Sequence, residues 1–393
     1  EKETCFAAHL IEQSQEYARR LGERLKDRVF EQIFPHFAEG FIAHLCDQQD
    51  REASDLSEDE LQEVYRGTLT LLYRLLFLLY AESRDLLPVR ETRGYWDVSL
   101  TRIKQEIAER AGTILDETEG KLKQAYSATE TALYERLQRL CQVVDKGARA
   151  LNVPVYNGGL FITHPEPDDE GAEAITARFL SENAIPDCQL ALGLDLMARD
   201  LDEKTQALAF IDYKSLGVRQ LGSIYEGLLE FKVRVAERDL CVVKEKGTYK
   251  YKPKGELTKA QREKLPNARA TTVQEGPREG DVYLENDKRE RKATGSYYTP
   301  DYIVEYIVEH TVGPVLEQKF AELRPELRGA EKTYGANKTR IGPVQDYSRE
   351  DAAAEAFEKH RDVVDELFDV KVLDPAMGSG HFLVETVDFM TDR

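Results

Sequence analysis

Asp374 closes a short apolar run, Val372-Leu373, and the chain then passes through Pro375-Ala376-Met377-Gly378-Ser379-Gly380 before apolar character returns at His381-Phe382-Leu383. An apolar pair, an acid, a glycine-serine-glycine turn and an apolar helix start spell a β-strand feeding a helix N-terminus. Gly378 and Gly380 suit a backbone on which a ligand rests, because a Cβ there would occupy the ligand's space. Upstream, Thr294-Gly295-Ser296-Tyr297-Tyr298-Thr299-Pro300 precedes an amphipathic run through Ile303, Val304, Ile307 and Val308. Pro300 suits the first turn of a helix, where its missing N–H would have no partner anyway. Thr299 is a good N-cap, which leaves a hydroxyl and free backbone N–H groups for a carboxylate.

Together, and in this order, the two blocks resemble those of S-adenosylmethionine-dependent N6-adenine DNA methyltransferases. Residues 372–383 resemble motif I and residues 294–300 motif X. The segments YNGGLF at 156–161 and LGSIYEGLLEF at 221–231 resemble stretches preceding motif X in large single-chain restriction–modification methyltransferases and in BREX-type phage-defence methyltransferases. The resemblance implies a cofactor site for S-adenosylmethionine built from Gly295, Tyr298, Thr299, Pro300, Asp374, Ala376, Gly378, Gly380 and Phe382. Thr299 and Pro300 would lie at the methionine end, with Gly295 and Tyr298 shaping the approach. Asp374 would sit at the tip of the first strand, where ligands bind in doubly wound sheets, and pair with the cofactor's amino group. Double-stranded DNA is the implied substrate, and other defence-system subunits are possible partners. The motifs do not separate single-chain restriction–modification from BREX or DISARM.

Adenine methylation needs an Asn or Asp followed by Pro-Pro and an aromatic, to accept hydrogen bonds from the amine and to stack on the flipped base. No such tetrapeptide occurs in the 393 residues. No catalytic residue is therefore assigned. The expectation is part of a longer enzyme, inactive by itself, with its transfer residues beyond residue 393. Two readings of another kind stand beside it: a non-catalytic interaction module, and a methyltransferase acting on RNA or protein.

The elements that must position these motifs come earlier. Apolar residues make up 41% of the chain, and the mean hydropathy of −0.53 suits a helix-rich protein. The longest apolar run, Leu69 to Ala81, carries Arg74 in its middle and is too short and charged to cross a bilayer. No signal peptide is visible, and the first residue is not Met, so the true start can lie upstream. The five cysteines are dispersed without metal-ligand spacing, which points to a reduced, cytoplasmic setting and no metal site.

The expected architecture is a mostly helical domain over 1–240, a basic β-hairpin or linker region over 241–292, and over 293–393 the start of an α/β Rossmann-like methyltransferase domain, incomplete in this chain. Helical spacing runs through Leu21, Leu25, Val29, Ile33 and Phe37. A second helix, with a plausible N-cap within Asp55-Leu56-Ser57-Glu58-Asp59-Glu60, runs through Leu61, Leu72 and Leu79 toward Pro88. Further helices are expected near 98–112, 128–149, 172–183 and 189–200, and another from Gly217 to Arg238. Cys241-Val242-Val243 and Tyr249-Lys250-Tyr251 read as a hairpin, and Asp281 to Leu284 as a short strand. Leu323 to Ala352 reads as an inserted loop, followed by a helix at about 350–368.

The net charge of −19 conceals a local reversal: residues 241–292 hold 14 Lys or Arg against 9 Asp or Glu. This island reads either as a DNA-backbone contact or as a solvated hairpin. Tyr249 and Tyr251, alternating with Lys250 and Lys252, suit either nucleic-acid contact or an ordinary edge strand. The YNGGLF segment reads as a packed turn more readily than as a partner-binding loop. Pro186-Asp187 with Asp212-Tyr213-Lys214 matches a loose nuclease metal-site pattern, but nothing β-rich surrounds it.

Overall fold

The computed structural model describes residues 16, 19–90, 94–156, 158–202, 205–216, 222, 224, 231–245, 248–262, 273–286, 299, 301–338, 349–375, 377 and 380–392. They divide into two compact units, Glu1–Gly295 and Ser296–Arg393.

The first unit is built on helices. α1 covers residues 19–49, with a π-helical turn at Val29–Ile33 leading into Phe34–Gln49. α2, Glu58–Ser83, starts at a capping box: Ser57 accepts from the Glu60 N–H, and the Glu60 carboxylate accepts from the Ser57 N–H at 2.8 Å. Then follow α3 (Leu100–Ala111), α4 (Leu115–Ala125), α5 (Ala132–Lys146), α6 (Ala172–Glu182) and α7 (Asp187–Ala198). These match the helices expected from periodicity, apart from α4, whose few apolar positions gave no stripe to read.

Leu71, Leu72, Leu75, Leu78 and Leu79 of α2 are buried together with Phe34, Phe37 and Phe41 of α1. Helices approach closely where glycine permits it. A Cβ on Gly67 of α2 would collide with the Phe179 ring, and one on Gly193 of α7 with the Phe37 ring. Inside the core, Arg74 is 2% exposed. Its Nε donates to the Leu160 carbonyl at 2.7 Å and its Nη2 to the Ile162 carbonyl at 2.8 Å. Phe77 packs edge-on against Phe161, ring centroids 5.1 Å apart, and the Tyr156 hydroxyl donates to the Leu86 carbonyl. The 156–161 segment is thus a packed turn pinned to α2, Asn157 lying outside the described residues.

Short antiparallel ladders complete the unit. β1 (Arg199–Leu201) pairs with β2 (Leu208–Phe210). β4 (Leu240–Glu245) forms the expected hairpin with β5 (Thr248–Pro253) and also pairs with β6 (Val273–Glu275). β3 (Phe231–Val235) pairs with β7 (Val282–Asn286), Phe231 opposite Asn286 and Val235 opposite Val282. Of the helix expected from Gly217 to Arg238, residues 231–235 form a strand instead, and residues 217–221, 223 and 225–230 lie outside the described residues. Phe231, Val233 and Val235 alternate with period two, and ladder pairing to β7 outweighs the helical spacing further upstream. This pairing also ties the basic region back to the helical part.

The second unit contains α8 (Asp301–Lys338), α9 (Arg349–Lys359), α10 (Arg361–Phe368) and α11 (His381–Asp392). Of the inserted loop expected over Leu323 to Ala352, residues 339–348 lie outside the described residues, and residues 323–338 are instead the second half of α8, which runs on through Pro325. Glu, Lys, Arg, Leu and Ala dominate that stretch, and their helix propensity offsets one lost backbone donor. The expected helix at 350–368 is present, divided at His360.

Val372 and Leu373, expected inside a parallel sheet, are 39% and 87% exposed and form no ladder. A strand is held by its neighbours' N–H and C=O groups, and among the described residues the second unit has no other strand to supply them. The described architecture is therefore mostly helical with small antiparallel sheets. Among the described residues, no helix is long and apolar enough to cross a membrane.

Candidate cofactor site in the second unit

The turn between Asp374 and α11 is made by its backbone. Gly380 has φ +78°, a conformation that side-chain-bearing residues rarely adopt. Its N–H donates to the Met377 carbonyl at 2.7 Å, and its own carbonyl accepts from the Val384 N–H at 2.9 Å, opening the helix. Among the described residues, no atom lies within 4 Å of a Cβ built at Gly380. The glycine is therefore required by backbone conformation, and no described residue fills the space above it. Asp374 is half-buried, with its Oδ2 shielded from solvent.

Packing joins the two helices that follow the motif regions. Val304, Val308, Val312 and Leu316 of α8 form a buried stripe, and Phe382, Phe389 and Met390 of α11 pack on it together with Val370. The spacing of three and four along α8 is what aligns these valines on one face. Thr299 is half-buried immediately before α8. The helix that begins after Thr299 and the helix that begins after Gly380 thus share one apolar cluster. Gly295, Tyr298, Pro300, Ala376 and Gly378 lie outside the described residues. Asp374 follows a segment without ladder pairing, so its expected place at the tip of a sheet strand is not formed here. His381, the first residue of α11, is not among the expected ligand residues, yet its Nδ1 is shielded from solvent beside the turn. A polar side chain directly after the glycine turn is the signal that would have marked it.

A half-buried carboxylate, a turn with space above it that no described residue fills and a helix N-terminus suit a small ligand carrying an amine and a carboxylate. S-adenosylmethionine has both groups, so the described residues fit it.

The acids of the nuclease-like pattern are committed elsewhere. Asp187 is buried at the start of α7, and its Oδ1 accepts from the Leu133 N–H at 2.7 Å, capping α5 from outside. Burial pushes its carboxyl above the ordinary range. Asp212 accepts from the Lys214 N–H and caps a single 3-10 turn. Within the basic region Lys254 lies 3.8 Å from Glu275, whereas Glu285 of the region pairs with Arg234 outside it, at 3.2 Å. Tyr251 is packed against Tyr283, ring centroids 4.6 Å apart.

Over 99 residues, 25% of its length, the chain is 35% identical to a Methanocaldococcus jannaschii protein provisionally named a type II restriction enzyme and methyltransferase. The chain spans about 8% of that relative's length. No family model and no solved structure matches. The likeness reaches a quarter of the chain.

Proposed function

We propose that this chain is part of an S-adenosylmethionine-dependent DNA methyltransferase of a restriction–modification or related anti-phage system, acting on adenine N6. The observation that carries the reading is the shared cluster between α8 and α11, which packs together the helices following the two motif-bearing turns. The name of the Methanocaldococcus relative supports methyl transfer as the general chemistry. The exposed Val372 and Leu373 present the apolar edge that neighbouring strands of a methyltransferase sheet would cover.

In this reading Asp374 accepts a hydrogen bond from the cofactor's amino group, and the Thr299 hydroxyl with the N–H groups at the start of α8 holds its carboxylate. Gly295 and Tyr298 shape the approach, while Ala376, Gly378 and Gly380 line the turn and Phe382 fixes it from below. The cofactor supplies a methyl group on a sulfonium. The chain's contribution is binding and orientation, with base recognition assigned to an element outside these residues. Double-stranded DNA is the proposed substrate, and other subunits of the defence system are proposed partners.

Isothermal titration of S-adenosylmethionine into the protein and its Asp374→Ala variant tests the reading. Binding by the parent and loss in the variant support it. Absence of binding by both, with the fold intact, would refute it in favour of a non-catalytic interaction module.

A further inference from the structure

A cleft of about 1030 Å³ opens in the first unit between α1 and the faces of the β3–β7 and β4–β5 ladders. It lies outside the elements of the proposed cofactor site, and none of the contacts already described explains it. Its interior is aromatic. Phe30 and Phe231 stand with ring centroids 5.0 Å apart at 44°, and Tyr251 and Tyr283 4.6 Å apart at 58°. All four rings are half-buried.

The border is acidic: Asp27, Glu31, Glu39, Glu275 and Asp281 face it, against a single ammonium from Lys26. Three of these carboxylates have partners. Glu39 lies 3.7 Å from His36, Glu275 lies 3.8 Å from Lys254, and Asp281 accepts from the Arg278 N–H at 2.7 Å. Asp27 and Glu31 are exposed and make no ion pair among the described residues.

Aromatic faces attract cations through their quadrupole, and arginine most of all, because its planar guanidinium can stack on a ring while its edge donates to carboxylates. A phosphate backbone brought to the same place would meet like charge. The volume exceeds what one side chain fills and suits a short run of extended peptide.

We propose that this cleft docks an arginine-bearing peptide segment of a partner protein, with guanidinium groups stacked on the Tyr251–Tyr283 pair and hydrogen-bonded to Asp27 and Glu31. The site is independent of the cofactor reading and stands or falls without it.

Fluorescence anisotropy of the full chain with a labelled peptide of alternating Gly and Arg provides the test. Saturable binding is expected, weakened about tenfold in Asp27→Asn/Glu31→Gln, as two partly exposed charge pairs contribute. Asp168→Asn/Glu170→Gln, which makes the same charge change on the exposed 164–171 loop, should leave the affinity alone. Tyr251→Leu should reduce the preference for the arginine peptide over its lysine counterpart. If that variant does not fold, the two charge variants decide by themselves. The proposal is overturned if the parent shows no saturable binding, if both charge variants weaken it equally, or if short duplex DNA displaces the peptide.

Discussion

Replacing Arg74 by methionine should cost the first unit about 3 kcal/mol, and the reason lies in two carbonyls. Arg74 sits at 2% exposure in the middle of α2 and donates to Leu160 and Ile162 at 2.7 and 2.8 Å. Hydrogen bonds from a charged donor contribute roughly 1.5–3 kcal/mol each, and a buried carbonyl left without a donor carries a desolvation cost of about 1–3 kcal/mol. Methionine matches the stem and removes the guanidinium's own burial cost, which offsets part of that loss. Loss of the guanidinium 6.0 Å from the Phe161 ring centroid, at the outer limit of the cation–π range, adds about 0.5 kcal/mol. The net falls near ~3 kcal/mol, or about 6–12 °C in melting temperature for a unit of this size. Arg74→Lys keeps the charge but places one point donor where two directed N–H groups stood, and should lose about half as much. Urea unfolding followed by far-UV circular dichroism measures the stability. Limited proteolysis reads the local effect, and cleavage near 156–163 should accelerate in both variants. A change below ~1 kcal/mol with an unaltered cleavage pattern would show that the turn is held by its aromatic packing and not by Arg74.

Other outcomes follow from the same contacts. Gly193→Ala drives a methyl into the Phe37 ring and Gly67→Ala into Phe179; each should destabilise by about 1–3 kcal/mol in thermal melts, whereas Gly120→Ala, where a Cβ meets nothing, should not. Hydrogen bonds from Arg51 and Ser57 hold the Glu60 carboxyl down to about 2. Because this folded-state value lies below the unfolded one, its stabilisation is complete above about pH 4.5 and fades as pH falls toward 2, by about 1 kcal/mol after solvent screening. Glu60→Gln should flatten that part of a stability–pH profile, and an unchanged acid limb would remove the capping box from the account. Gly380→Ala should cost ~1–2 kcal/mol locally through its positive φ and weaken S-adenosylmethionine binding in titration, leaving the melting of the first unit unchanged.

Periodicity in the sequence was enough for the helical part. Apolar residues at spacings of three and four defined α1, α2, α3, α5, α6 and α7, and the polar, acidic stretch from Asp55 to Glu60 marked the start of α2. Local chemistry also marked the two motif regions, since a glycine turn and a Thr-Pro helix start are properties of a few adjacent residues. Hidden from the sequence were the decisions made by distant partners. Phe231–Val235 became a strand because β7, some fifty residues later, offers a ladder. Val372-Leu373 remained unpaired because no described strand lies beside it, although its composition is that of a sheet core. Arg74 read as a charge that excluded a membrane span, and only the fold showed two carbonyls waiting for it. The acidic, aromatic cleft has the same origin. Its rings come from residues 30, 231, 251 and 283, and only packing α1 against two ladders brings residues so far apart in the chain to one place.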